Sequence, residues 1–260
     1  MKKTEATLVE QQLEEVPWTI RQTLLGIFLT LVPWLSFTLV INILGNHSVP
    51  NAPLSPQTDL IDAIIIFLFS CIIEGAFLIA PLYFANRAFR STTLHTRLAF
   101  RALGFRSFQI GRTSLLIVVF LFAILGVDIL YQYVITVLHL HLQTNDQLIL
   151  EQSKNAPLST YATLIAAVFV APFCEEVFFR GFVFPGLHRR IPLGGAIVLS
   201  SFLFAAAHAD LGSFAVLFII GLALAFLRWR TRSIWPGMLL HMLNNGVAAL
   251  AIVLAMQGKL

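Results

Sequence analysis

Two adjacent carboxylates and an arginine, Glu175-Glu176-x-x-x-Arg180, interrupt a stretch, 162–184, that is otherwise apolar enough to span a bilayer. Charge left in hydrocarbon is expensive, so such a pair marks a functional site by default. At helical pitch Glu176 and Arg180 share a face and can pair internally. Glu175 is turned by about 100° from Glu176 at 3.6 residues per turn, which frees it to point elsewhere. Two further groups follow on later apolar runs. His208 closes Phe204-Ala205-Ala206-Ala207-His208, where small residues let helices approach closely. His241 and Asn245, in His241-Met242-Leu243-Asn244-Asn245, are four apart and face the same way.

These residue types suit hydrolysis at a carbonyl. Such a reaction needs a base for water and donors for the oxyanion that develops. Glu175, desolvated beside His208, would supply the first, and His241 with Asn245 the second. Each feature alone has a plainer meaning. An intramembrane Glu–Arg pair can brace helices, a single histidine can bridge them, and an asparagine is common packing glue. The joint occurrence in one compact region is what argues for chemistry. Glu74 and Asp128 have no motif around them and read as interhelical hydrogen-bonding groups or cavity lining.

The elements that must position these groups are membrane helices. Of 260 residues, 58% are hydrophobic and only 12% charged, with 23 phenylalanines. A soluble domain carries about 25% charged residues, so composition alone indicates a membrane protein. The fold expected is all-α, a polytopic transmembrane bundle of about seven spans, six to eight being compatible with the run lengths. The runs are 23–44, 60–85, 113–138, 162–184, 193–209, 211–227 and 234–256. Three regions follow: a polar cytoplasmic tail at 1–22, an N-terminal transmembrane region at 23–150 with a basic cytoplasmic loop at 86–112, and a catalytic-type core at 158–256. No cleavable export signal is expected, because the first 16 residues are polar and carry Glu5, Glu10, Glu14 and Glu15. A helix near 8–16 is compatible with their pattern.

Orientation follows from the basic residues. With the amino terminus in the cytoplasm, fourteen lysines and arginines fall in inner segments, and two, Lys154 and Lys259, fall outside. Six of the inner ones lie between Arg87 and Arg112. There Leu94, Leu98, Phe100, Leu103 and Phe105 alternate with Arg97, Arg101 and Arg106, which fits an interfacial helix on anionic lipid or a solvated basic loop. The formal charge of +4 is dispersed in short blocks between apolar runs, which does not suggest a nucleic-acid partner. Cys71 and Cys174 both lie in apolar runs and do not form a disulfide framework. The location expected is an integral protein of the cell membrane.

Glu-Glu-x-x-x-Arg, then Phe-x-x-x-His, then His-x-x-x-Asn, in that order on consecutive apolar helices, resembles the CPBP or Abi family. These are the CAAX-processing and bacteriocin-processing intramembrane endopeptidases related to the Ras-converting enzyme. The resemblance covers about 161–249. It implies that Glu175 activates water with help from His208, that His241 and Asn245 hold the oxyanion, and that Glu176 and Arg180 orient the site behind them. It also implies a hydrophobic or lipidated peptide substrate, of CAAX type or otherwise, met within the lipid bilayer.

Four competing readings are to be weighed. Glu175, His208 and His241 have the residue types of a zinc site with two histidines and one glutamate, and members of the family have been called metalloproteases on such grounds. Asn245 is a poor zinc ligand and a good oxyanion donor, which favours no metal and no cofactor. Cys174 is a poor nucleophile, since burial beside carboxylates disfavours the thiolate. A non-catalytic membrane binding or immunity protein could keep the same polar core. A small transporter using Glu74, Asp128 and Glu175 as a proton path lacks the repeat symmetry such proteins often show. One geometrical tension stands: at about 1.5 Å per residue, Glu175 lies ~15–18 Å from the inner end of its span, His241 ~10 Å, and His208 more than ~20 Å.

Overall fold

Proline spacing in the fourth apolar run explains the shape of the helix at the centre of the molecule. The computed structural model describes residues 16–44, 52–91, 94–140, 142 and 144–259. In it the stretch Pro157–His188 is one continuous but irregular rod. Helix α7 (Pro157–Ile165) widens into a π turn at Ala166–Val170, resumes as α8 (Ala171–Glu175), widens again over Glu176–Val183, and ends as α9 (Phe184–His188). Pro172 and Pro185 have no N–H to give to the preceding turn, and each wide segment runs just before one of them. The carbonyls released there are taken by side chains from other elements. Asn245 Nδ2 donates to the Ala167 carbonyl at 2.9 Å, Arg228 Nε to that of Arg180 at 3.0 Å, and Trp18 Nε1 to that of Phe182 at 3.2 Å.

Around this rod stand the other helices. Helix α1 is Ile20–Leu44; α2 (Pro56–Gly75) continues through a short 3-10 turn into α3 (Ile79–Ala88). Then come α4 (His95–Ala102), α5 (Ile110–Val137), α6 (Asn145–Ser153), α10 (Leu193–Ala207), α11 (Phe214–Thr231) and α12 (Trp235–Met256). No strand occurs among the described residues. Six stretches are long and apolar enough to cross a membrane: Ile20–Val40, Pro56–Ala88, Ile110–Val137, Pro157–His188, Phe214–Thr231 and Trp235–Met256. The fifth of the seven expected spans is α10, a shorter apolar helix of 15 residues. Apolar side chains such as Ile72, Phe122 and Ile129 point outward and are about seven-tenths exposed. Without a protein partner these faces are matched to lipid, and the chain is an integral membrane protein.

The core is aromatic and gathers on the second wide segment. Phe178, Phe179 and Phe182 are fully buried. Phe77 meets Phe178 edge-on at 5.3 Å between centroids, and Phe84 stacks on Phe182 at 5.7 Å. Helices α10 and α11 pack closest where Gly221 faces Ser201; a Cβ there would lie 2.9 Å from the Ser201 Cβ. The start of α7 is capped from a distance. Asp59, on α2 and 2% exposed, accepts the backbone N–H groups of Leu158 and Ser159 at 2.8 and 2.9 Å and the Ser159 hydroxyl at 2.7 Å.

Two segments expected to be peripheral are built into the bundle. In the stretch read as a polar tail, Trp18 is 1% exposed and packs at a tilt against Phe182, and Arg189 donates to the Val16 and Trp18 carbonyls. The helix compatible with 8–16 lies almost wholly outside the described residues. Between α3 and α5 the basic segment forms the short helix α4; Leu94 and Phe100 are exposed, but Ala99, Ala102 and Leu103 are buried. Residues 103–106 then pass under the start of α12, where Gly104 accepts from Ile234 N and Arg106 O from the Ser233 hydroxyl. Gly104 adopts φ +95° beneath the Arg228 guanidinium, a backbone state and a clearance that only glycine supplies.

Candidate active site

Glu175 ends α8 and is 8% exposed. Its Oε2 lies 4.0 Å from His208 Nε2 and 3.9 Å from His241 Nε2, and it makes no hydrogen bond with the described residues. The three groups placed by sequence at unequal depths therefore meet. His208 stands just past the last residue of α10. Its Nδ1 is 2.8 Å from the Phe204 carbonyl. A carbonyl only accepts, so Nδ1 carries the hydrogen and Nε2 turns its lone pair toward Glu175. Trp34 holds this helix end by donating Nε1–H to the Ala207 carbonyl at 2.7 Å.

His241 and Asn245 project from the same face of α12. His241 is 3% exposed, with Nδ1 3.4 Å from Glu176 Oε1, a contact without hydrogen-bond alignment. Asn245 gives one N–H to the Ala167 carbonyl and accepts from Asn244 Nδ2 at 3.4 Å. A primary amide has two N–H groups, so one remains available. The first wide turn thus fixes the asparagine that sequence spacing put beside His241.

Glu176 and Arg180 lie wholly buried behind these groups. Arg180 NH1 approaches Glu176 Oε1 to 2.9 Å, and NH2 donates to the Gly221 carbonyl at 3.3 Å. The first contact is an ion pair by distance; its angle is not that of a hydrogen bond. The guanidinium also sits over the Phe204 ring at 4.2 Å. That ring touches His208 and His241 in turn, with centroids 4.7 and 5.5 Å away. Gly237 faces the Glu176 carboxylate so closely that a Cβ would lie 2.7 Å from Oε2. Phe204 and Gly237 therefore set the positions of groups they do not chemically resemble.

Glu175, His208, His241 and Asn245 open into one cavity of about 760 Å³. It is also lined by Glu74, whose Oε2 is buried without a hydrogen-bond partner, and by Asp128 and Asn244. Glu74 and Asp128 thus belong to the chamber wall, the second of their two sequence readings. Their signal was a charge within a span. Gly237, Trp34 and the Ala167 carbonyl had no signal in the sequence. Cys174 is buried and does not line the cavity. At the far end Asp146 is held above the usual carboxylate range, first by burial and then by the charges of Asp128 and Asp210. Among the described residues no three histidine, cysteine, aspartate or glutamate side chains are grouped as a metal-holding set. Glu175, His208 and His241 are spaced instead around one carboxylate oxygen.

This geometry can be set beside known proteins. Residues 157–247 match the model of the type II CAAX prenyl endopeptidase Rce1-like family. The chain is 33% identical over 101 residues to "Putative membrane peptidase YdiL" of Bacillus subtilis (strain 168). That match spans 39% of this chain and 40% of the relative's length. No solved structure matches the chain.

Proposed function

We propose that this chain, a CPBP/Abi-type family member through residues 157–247, is an intramembrane endopeptidase that hydrolyses a peptide bond with a glutamate-activated water. The observation that carries the proposal is the Glu175 carboxylate, buried and without a donor, with an imidazole nitrogen about 4 Å away on either side. That spacing is too long for a direct hydrogen bond and suits two groups that share one water.

In the reaction Glu175, assisted by His208 Nε2, takes a proton from water as its oxygen bonds to the scissile carbonyl carbon. The carbonyl oxygen becomes an oxyanion. The free N–H of Asn245 and the imidazole of His241 donate to it. Collapse of the tetrahedral species breaks the C–N bond, and the proton held by Glu175 passes to the leaving amine. Glu176 and Arg180 do not touch substrate; they hold His241 and Phe204 in place. No metal enters this scheme, and the asparagine beside His241 supports that reading.

The substrate is a hydrophobic or lipidated peptide met within the bilayer. The protein resides in the cell membrane with its amino terminus in the cytoplasm, as the distribution of arginines suggests. The test is cleavage of quenched peptides, both lipidated CAAX-type and plain hydrophobic, by the purified protein in detergent. Replacing Glu175 by Gln keeps the shape and removes the base, so the rate should fall at least about 100-fold with the fold retained. Activity should survive a chelator; loss under chelation would return the two histidines and Glu175 to the role of zinc ligands. A folded wild type that cuts nothing would sink the peptidase reading in favour of a binding or immunity protein.

A further inference from the structure

The cavity has a sign and a direction that the reaction alone does not require. Five carboxylates line it: Glu74, Asp128, Asp146, Glu175 and Asp210. Among its lining residues there is no lysine or arginine, and the two histidines sit at the catalytic end. Asp210 accepts the backbone N–H groups of Asn145 and Ser213 at 3.1 and 3.0 Å, which orders it without cancelling its charge. Glu175 Oε2 and Glu74 Oε2 have no hydrogen-bond donor, and Glu175 is more than nine-tenths buried. A half-open chamber lined by carboxylates and by no lysine or arginine favours cations over anions.

The direction follows from where the lining residues lie along their helices. Asp128 and Tyr131 are in the last third of α5, Asp146 in α6 beyond its end, and Asp210 in the connection from α10 to α11. These parts are tied together, since the Tyr131 hydroxyl donates to the Gly212 carbonyl at 2.6 Å. The lining residues of α12 run from His241 to Ala255 and leave its first turns out. The lining of this cavity does not reach the opposite end of the bundle. Leu103, Ile234, Met238 and Leu240 are buried there, and Phe105 packs against Phe173 and Trp235. A separate cavity of about 590 Å³ on that side is lined by Arg106, Arg189, Arg228, Arg230 and Arg232, the reverse polarity.

We infer that the chamber admits a cationic peptide segment from the membrane face opposite the arginine-rich loops, with the positive flank held by Asp128, Asp146 and Asp210 and the scissile bond at Glu175. This names a substrate class for the proposed peptidase and rests on that reading. It disfavours peptides whose free carboxylate or acidic side chains would have to enter the chamber.

The experiment uses three quenched peptides with one hydrophobic centre and flanks of two lysines, two serines or two glutamates. Cleavage by the purified full chain is compared with that of Asp128→Asn, Asp146→Asn and the double variant, with thermal unfolding as a check on the fold. The lysine peptide should exceed the glutamate peptide by about 10-fold or more in kcat/KM, as expected for a charge effect of about 1.4 kcal/mol. The double variant should lose that preference, its kcat/KM for the lysine peptide falling to that for the serine peptide. Equal cleavage of all three peptides, or a preference that persists in the double variant, overturns the inference and leaves the peptidase reading intact. If nothing is cut, anisotropy with the labelled peptides separates the two ideas: selective binding of the lysine peptide keeps the acidic chamber, and its absence removes it. For direction, an impermeant lysine peptide is added to sealed right-side-out and inverted membrane vesicles. Cleavage confined to right-side-out vesicles is expected, and cleavage confined to inverted ones overturns the assigned entrance.

Discussion

At the residue scale, the buried Glu176–Arg180 pair is a device for position rather than for stability. Burying two charges costs much of what their attraction returns, so such pairs contribute little net stability, while removing one partner costs about 3–5 kcal/mol. Arg180 also carries Phe204 against both histidines, so its placement reaches Glu175 through a ring. Arg180→Met should therefore lower the thermal midpoint in detergent sharply, because Glu176 is left as an isolated buried carboxylate. The double variant Glu176→Gln with Arg180→Met should recover much of that stability and almost none of the cleavage. Full recovery of both would mean that the pair only braces helices. Gly237→Ala should act on the same carboxylate from the other side, at a cost of about 1–3 kcal/mol for overpacking. The sequence carried the pair legibly, since i,i+4 spacing is a one-dimensional record of a helix face. It carried nothing of Gly237, whose importance arises only when α12 meets the rod 61 residues earlier.

At the scale of elements, the irregular rod places the chemistry. A regular helix from Pro157 to His188 would have bonded its own carbonyls and offered none to Asn245, Arg228 or Trp18. The prolines that force the wide turns were visible in the sequence, and the partners of the freed carbonyls were not. Asn245→Leu should remove the oxyanion donor and also leave the Ala167 carbonyl unpaired, a stability loss of about 1–3 kcal/mol. Asp59→Ala is the matching control. It removes the cap of α7 and should cost about 0.5–2 kcal/mol, yet it lies outside the chamber and should leave kcat near the wild-type value. Thermal unfolding and steady-state rates on the same preparations separate the two outcomes. A large kcat loss in the Asp59 variant would show that the rod's outer end moves during turnover. Asp59 had no reading in the sequence because its capping partners lie about 100 residues further on.

At the scale of the molecule, the family match at 157–247 covers the residues proposed to react but not the whole of the chamber around them. The motifs lie on the rod, α10 and α12, and their spacing was enough to place them in one site. Trp34 from α1, Glu74 from α2 and Asp128 from α5 complete the chamber, and all three come from the half without a family match. That half also supplies Asp59 to cap α7 and Trp18, Phe77 and Phe84 to cover the buried phenylalanines of the rod. Such contacts cannot be read from composition, because lipid-facing and rod-facing positions on α1, α2 and α5 are equally apolar. A fragment of residues 157–260 should therefore be inactive and prone to aggregate, with its polar site open to lipid and the covering aromatics gone. Co-expression with residues 1–156 should restore cleavage, since the two halves would reassemble through helix packing. Pull-down of one half by the other, together with the rate of the recovered complex, measures this directly. Full activity from the 157–260 fragment alone would show that the chamber wall contributed by α1, α2 and α5 is dispensable, and with it the part played by Glu74 and Asp128.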